Sequence, residues 1–400
     1  MYSGRREDII FELAKRATFR ANAVSVLPHN RINEYTNQQK VRPQKLLYPF
    51  ALIYGAVAAF RRWLYRKGVL SAYQPPIPTI GVGNLSVGGT GKSPHVEYLI
   101  RLLSEHYKIA TLSRGYKRKT KGFVLANDID TQQLSAEHIG DEPLQFYTKF
   151  PHIKVAVDEK REEGIQQLMQ RFPDLQCIIM DDCYQHLQVK PQLSILITEY
   201  QNPYVKDYPL PAGRLREFRS AAKDADIVIV SKCPETLTEQ QRADMTQLLK
   251  LQDYQQLFFT TMHYGELAAL NECGKQRQVT AQTEVVVLTA IAHPEPMVKY
   301  LAEKFKIIHH YRFADHHYFS EKEIEEIQKK YFSEKNQNRI LVTTEKDSMR
   351  LIYSVLSNNI KNIPLYMQPI KPLFLFQEET QFIQILKDYS RNSRNFAYLK

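Results

Sequence analysis

Cysteine is scarce: four in 400 residues (Cys177, Cys183, Cys233 and Cys273), with no CxxC pair among them. That excludes a disulfide framework and the usual structural zinc sets, and it suits a reducing compartment. Glycine and proline together number only 35, which excludes a collagen-like or low-complexity chain. No apolar run reaches the roughly 20 residues that a helix needs to cross a bilayer. There is no internal repeat. What is present, 43% hydrophobic and 24% charged residues, describes an ordinary globular chain long enough for two domains.

Lysine and arginine number 54 against 43 aspartate and glutamate, a net charge of +11. Such an excess suits nucleic acid, an anionic membrane surface or a phosphorylated substrate. Its position chooses among them. Residues 1–72 hold 13 basic and 4 acidic side chains, and the other 328 hold 41 and 39. A nearly neutral body lacks the basic face that nucleic-acid binding needs, so no nucleic-acid partner is expected.

The excess surrounds Leu46 to Phe60 (LLYPFALIYGAVAAF), 15 residues without a charge. Arg42 and Lys45 precede it; Arg61, Arg62, Arg66 and Lys67 follow, with Trp63 and Tyr65 interleaved. As a helix, 15 residues rise about 22 Å, short of the roughly 30 Å hydrocarbon core. The run reads first as an interfacial or shallowly inserted anchor. A full span helped by snorkelling Arg61 and Arg62, or a buried core helix, are the alternatives. Ala56-Val57-Ala58 resembles a signal-peptide cleavage site. The nucleotide motif below argues against export, and the stronger basic cluster after the run keeps the body on the cytoplasmic side. Residues 1–40 are polar and Asn/Gln-rich, either a basic tail or an upstream extension outside the working protein.

From Pro75 onward, short β-branched runs alternate with helical spacing, the pattern of a parallel sheet built from βαβ units. Strands are expected at 79–83, 109–113, 154–157, 177–181, 193–198 and 226–231. A second series follows at 257–262, 285–290, 306–310 and 339–344. Helices are expected at 297–305 and 321–331, and a polar helix within 235–256 near a domain junction.

The most specific local feature is Asn84-Leu85-Ser86-Val87-Gly88-Gly89-Thr90-Gly91-Lys92-Ser93, between an apolar strand and an amphipathic helix. Gly-Lys-Ser ends a Walker A pattern, with Ser86 at the usual first glycine. Glycines let backbone N–H groups wrap a β-phosphate, Lys92 reaches the β/γ oxygens, and the Ser93 hydroxyl meets Mg²⁺. Residues 86 to 93 (Ser86, Val87, Gly88, Gly89, Thr90, Gly91, Lys92, Ser93) are therefore the expected ATP cradle. A dinucleotide reading from Gly81-Val82-Gly83 fails, because Ser86 stands where its third glycine belongs. Ile178-Ile179-Met180-Asp181-Asp182 supplies the metal partner in Walker B form, an apolar strand ending in two carboxylates. ATP and Mg²⁺ thus rest on two independent motifs.

Arg114, Arg161 and Arg216 are candidate phosphate contacts, since guanidinium groups match phosphate oxygens bidentately. His309-His310 and His316-His317 are not read as zinc ligands, having no cysteine nearby. Gly140-Asp141-Glu142-Pro143 by itself reads as an acidic helix N-terminus.

Taken in order, further strings make the chain resemble the tetraacyldisaccharide 4'-kinase (lipid A 4'-kinase) family of Gram-negative bacteria over roughly residues 44–390. They are Gly83-Asn84 through Ser93-Pro94, Ser113-Arg114-Gly115-Tyr116, Gly140-Asp141-Glu142-Pro143 and Asp181-Asp182-x-x-Gln185-His186. Then come Pro211-Ala212-Gly213-Arg214-Leu215-Arg216-Glu217, Asp315-His316 and Thr344-Glu345-Lys346-Asp347. Ser93 replaces a more usual Thr and keeps the hydroxyl; Cys183 stands where a Gly is common.

The resemblance implies transfer of the ATP γ-phosphate to the 4'-hydroxyl of a tetraacylated disaccharide 1-phosphate. It implies a P-loop NTPase-like, mostly parallel α/β sheet with helices on both faces, a second smaller α/β lobe, and an N-terminal anchoring helix. The expected divisions are 1–40 (extension), 41–72 (anchor and basic stem), 73–235 (nucleotide-binding domain) and 236–400 (second domain). A sugar hydroxyl is a poor nucleophile, so a base is needed; the resemblance assigns Asp141, partnered by His316. Lys92 and Arg216 join them as catalytic candidates. Ser93, Asp181, Asp182 and Glu217 are expected at the metal, and Glu142, Arg114, Tyr116, Arg161, Gln185 and His186 at the substrate.

The expected partners are the acylated disaccharide 1-phosphate and an anionic membrane surface, with no obligate protein partner. The expected location is the cytoplasmic face of the inner membrane. A membrane-associated P-loop ATPase switch is the competing function; it would need no Asp141–His316 pair.

Overall fold

The computed structural model describes residues 25–27, 45–130, 133–333, 338–353 and 357–392. The rest of the 1–40 extension, and Arg42 of the basic stem, lie outside the described residues.

Fifteen strands are described. Nine come first: β1 (Ser25–Leu27), β2 (Thr79–Gly83), β3 (Ile109–Ser113), β4 (Val124–Leu125), β5 (Lys154–Val157), β6 (Cys177–Asp181), β7 (Leu193–Glu199), β8 (Ile227–Ser231) and β9 (Gln256–Tyr264). The others are β10 (Ala268–Ala269), β11 (Glu284–Thr289), β12 (Lys306–Arg312), β13 (Arg339–Thr344), β14 (Leu365–Gln368) and β15 (Ile370–Phe374). They form two sheets. The larger runs β15-β9-β8-β7-β2-β6-β3-β5-β4, parallel throughout except for antiparallel edges at β15 and β4. The smaller runs β1-β12-β11-β13-β14-β10, with a parallel centre.

Parallel strands covered on both faces are apolar along their whole length. In β6, Cys177 and Ile179 face one core with Val96, Leu99 and Ile100 of the helix Lys92–Ser104. Ile178 and Met180 face the other core with Ile165 and Leu168 of the helix Arg161–Arg171. The expected α/β architecture with a large, mostly parallel sheet is therefore present. The ten expected strands form with ends shifted by at most two residues. The edge strands β4, β10 and β15 and the inner strand β14 carried too little pattern to be foreseen.

The sheets do not divide at residue 235. The chain completes the larger sheet with β9, builds the smaller one, then returns with β15. The reason is burial: Phe258 and Phe259 of β9 point into opposite cores of the larger sheet, and Phe382 of the final helix joins one of them. The polar stretch after residue 235 forms the helix Glu239–Leu249, opened by a capping box between Thr238 and Gln241.

Tyr48–Arg66 is one helix, 19 residues long, with Pro49 in its first turn, where a missing N–H costs nothing. Ala51, Gly55 and Arg62 are buried against the body, while Leu46, Phe50, Ile53, Val57 and Phe60 form an exposed apolar stripe at helical spacing. No described helix is long and apolar enough to cross a membrane.

Candidate active site

The phosphate loop leaves β2 and enters the helix Lys92–Ser104. Gly88 and Gly91 hold left-handed φ angles of 110° and 91°, and a Cβ on Gly88 or Gly89 would meet nothing within 4 Å. The cradle is thus open on the side where backbone N–H groups would receive an anion. Asn84 braces it from below, donating to Ser86 O (2.6 Å) and to Thr90 Oγ1 (2.9 Å). Ser231 Oγ donates to Thr90 O at 2.6 Å, and Lys232 Nζ donates to Gly89 O. Lys92 Nζ lies 3.1 Å from Asn84 Oδ1 and 3.2 Å from Asp182 Oδ1.

The 211–217 loop clasps the same segment. Val87 N donates to Arg214 O (2.8 Å) and Arg216 N to Leu85 O (2.7 Å), a short antiparallel pairing around Ser86 and Leu215. This brings Arg216 Nη1 to both oxygens of Asp182, 3.0 and 3.1 Å away, and to Gln185 Oε1 at 3.0 Å. Gln185 in turn donates to Asn84 O. Gly213 permits the turn: a Cβ there would strike Asp207 Oδ1 and Tyr208 O and stand 2.8 Å from Tyr208 N. Gly213→Ala is expected to cost about 1–3 kcal/mol through backbone displacement and to loosen Arg216. Calorimetric unfolding checks this, and an unchanged midpoint would count against it.

The paired aspartates differ. Burial works to raise the Asp182 carboxyl, but the charges and hydrogen bonds of Arg216 and Lys92 outweigh it and hold it well below the usual range. Asp181 is pushed up to about 7 by burial and by the Asp182 charge. Its Oδ1 is buried without a hydrogen-bond partner. An orphaned buried carboxylate oxygen beside a second carboxylate that meets Lys92 fits a hard divalent cation with oxygen ligands.

Two expectations meet a different placement. Glu217, expected at the metal, is buried with both oxygens on Arg62: Nε to Oε2 at 2.6 Å and Nη2 to Oε1 at 3.0 Å. The structure thus places this carboxylate on the guanidinium of Arg62. Arg161, expected at the substrate, is 2% exposed; it donates to Asp158 O and lies 3.5 Å from Asp181 O. Burial lowers its guanidinium to about 10. His186, half-buried, is pushed down to about 3 by burial and by the Arg161 and Arg114 charges.

A second cluster joins the two sheets. Gly140, at a φ of 94°, starts the helix Asp141–Lys149 and buries Asp141 at its N-terminus. From the other side, His316 Nδ1 lies 3.0 Å from Asp141 Oδ2. Arg350 donates through Nε to Oδ1 at 3.0 Å and through Nη2 to Oδ2. Burial would raise the Asp141 carboxyl, yet hydrogen bonds from His316 and Arg350 and the charges of Arg350 and Lys346 hold it far below its ordinary value. Lys346 Nζ lies 2.7 Å from Glu142 Oε1 and 3.1 Å from His316 Nε2. An ammonium only donates, so Nε2 accepts and the ring hydrogen sits on Nδ1, donated to Asp141. The Tyr116 ring meets His316 edge-on, centroids 5.2 Å apart. The Glu142 charge acts on Asp181, which ties this cluster to the phosphate loop.

Sequence reasoning passed over Arg62, Lys232, Lys346 as a charged partner, and Arg350. Only Arg350 carried a usable signal: it stands three residues after Asp347, one helical turn on, and pairs with it at 3.0 Å.

A glycine cradle at a strand-to-helix turn, with a lysine and a neighbouring strand ending in two aspartates, defines an α/β protein of the P-loop type. The family model for tetraacyldisaccharide-1-P 4'-kinase matches residues 43–390, and the chain belongs to that family. It is 44% identical to the tetraacyldisaccharide 4'-kinase of Flavobacterium johnsoniae, over 87% of this chain and 98% of that one. It is 41% identical to that of Bacteroides thetaiotaomicron, over 90% and 96%. Among solved structures it resembles the "apo" form of LpxK from Aquifex aeolicus in complex with ATP, with a TM-score of 0.65 and 27% identity over 86% of this chain and 98% of that one.

Proposed function

We propose that this protein transfers the γ-phosphate of ATP to the 4'-hydroxyl of a tetraacylated glucosamine disaccharide 1-phosphate, at the cytoplasmic face of the inner membrane. The observation that carries the reading is the Asp141–His316 pair, assembled from elements of the two sheets. A nucleotide switch has no need of it.

Residues 86 to 93 hold the ATP phosphates, with Lys92 at the β/γ oxygens. Ser93, Asp181 and Asp182 would hold Mg²⁺, which when bound neutralises charge on the phosphate oxygens. Arg216, parked on Asp182, supplies a cation toward the transferred group. Asp141 receives the hydroxyl proton, with His316 fixing its orientation. A loose phosphoryl-transfer transition state asks more of placement than of base strength, so a carboxylate weakened by Arg350 is adequate. Glu142, Tyr116 and Arg114 are assigned to the substrate.

The exposed stripe from Leu46 to Phe60, flanked by the basic residues of the stem, supports a helix lying in the membrane interface. Each well-placed lysine or arginine adds about 1 kcal/mol toward anionic lipid. A four-chain substrate resides in that same surface.

Incubation with γ-labelled ATP and acyl-disaccharide 1-phosphate is expected to yield labelled lipid. Phosphate release independent of lipid, without labelled product, would sink the reading. Ile53→Asp with Val57→Asp is expected to lower binding to anionic vesicles at least tenfold in a flotation assay; undiminished binding would remove the helix from the membrane.

A further inference from the structure

Arg62 is the charged member of the inward face of the helix Tyr48–Arg66, 4% exposed. A buried arginine is tolerable only when its donors are met. Here Nε and Nη2 take both oxygens of Glu217, Nη1 lies 2.5 Å from Asp224 Oδ2, and Nη2 also reaches Tyr184 O at 2.9 Å. The guanidinium sits 5.3 Å from the centre of the Tyr184 ring.

Two of these partners are neighbours of the phosphate site. Glu217 follows Arg216, and Tyr184 comes two residues after Asp182, whose backbone holds a left-handed φ of 46°. Arg216 and Asp182 are the pair that meets at 3.0 Å beside Lys92. One planar fork therefore grips, from behind, both loops whose tips carry that pair. A lysine lacks the planar fork that meets both Glu217 oxygens in parallel while its other nitrogen reaches Asp224.

We propose that Arg62 is a positioning residue for phosphoryl transfer. It fixes Glu217 and the Tyr184 backbone, and through them the Asp182–Arg216 pair. The membrane-facing helix is thus a structural part of the nucleotide site, with its apolar stripe on one side and its arginine on the other. The inference rests on the kinase reading above and deepens it.

The test uses the full chain with the acyl-disaccharide 1-phosphate dispersed in detergent micelles, where vesicle docking does not limit turnover. Rates are expressed per equivalent of bound nucleotide, so a partly unfolded sample does not count as a slow one. Arg62→Gln is expected to lower kcat at least tenfold with the KM for lipid within twofold. Arg62→Lys, which keeps charge and stem, is expected to stay at least fivefold down, and it carries the test should the glutamine variant fail to fold. Glu217→Gln is expected to match Arg62→Gln, and the double variant to fall no further than either. Lys108→Gln, in an exposed surface pair with Asp174, is expected to keep its micellar kcat.

Arg62→Lys within twofold of wild type, or losses at Arg62 and Glu217 that multiply, would overturn the proposal. An inactive wild type would instead overturn the kinase reading beneath it.

Discussion

Lys92→Ala is expected to abolish nucleotide use, lowering kcat/KM for ATP by roughly a thousandfold or more, the scale for losing a preorganised charge at a phosphoryl centre. The side chain is mostly buried, held between Asn84 and Asp182 at the mouth of the glycine cradle. Its loss acts twice. It removes the cation that meets the β/γ oxygens, and it removes one of the charges that oppose the raised pKa of Asp181. Asp181 would then keep its proton to higher pH and offer a metal less charge. Titration calorimetry with ATP and the labelled-transfer assay measure both effects. Turnover within tenfold of wild type would show that the loop does not work through this lysine.

Asp141→Ala is expected to separate binding from chemistry. ATP affinity should stay within about twofold, because Asp141 touches none of the loop residues, whereas transfer should fall 10²–10⁴-fold, the usual contribution of a positioned base. Near wild-type turnover would refute the assignment. Alanine also strips Arg350 of its main partner, and an uncompensated buried charge costs about 3–5 kcal/mol. Arg350 would keep its bonds to Asp347 Oδ1 (3.0 Å) and His317 O (3.3 Å), which limits that cost. Asp141→Asn, which preserves shape and one acceptor, is therefore the companion variant, and unfolding of both by denaturant separates loss of fold from loss of rate.

The sign of the pH effect follows from the depressed carboxyl. A folded-state pKa below the unfolded value of about 3.9 gives stability that is complete above that value and is lost as pH falls through the folded one. The wild-type rate profile between pH 5 and 8 should accordingly show no limb from Asp141.

Much of the site was legible because its chemistry is local. The Gly88–Ser93 turn, the Asp181-Asp182 strand end and Asp141 at a helix start each need residues within a few positions of one another. The strands were legible for a related reason: strands buried on both faces are apolar throughout, and the helices between them repeat at 3.6 residues. Glu217 was misplaced since a carboxylate beside Arg216 looks equally suited to a metal or to a guanidinium. Only the arrival of Arg62, 155 residues earlier in the chain, distinguishes them. Arg161 was misplaced for the opposite reason, its burial being invisible at the first position of an amphipathic helix.

The opening +11 was likewise resolved by position alone, most of it belonging to the first 72 residues and little to the body. What the sequence by itself determined was the ten central strands, the nucleotide loop and the family, because backbone propensity and short-range spacing are written in contiguous residues. Only the tertiary structure decided that β15 returns to the first sheet, that Arg350 and Lys346 cross between sheets to Asp141 and Glu142, and that Arg62 underlies the phosphate site. Those contacts join residues more than a hundred positions apart. The ion pairs are selected by the burial of a charge that must find its opposite and the β15 return by the burial of apolar rings, and no local pattern records either partner.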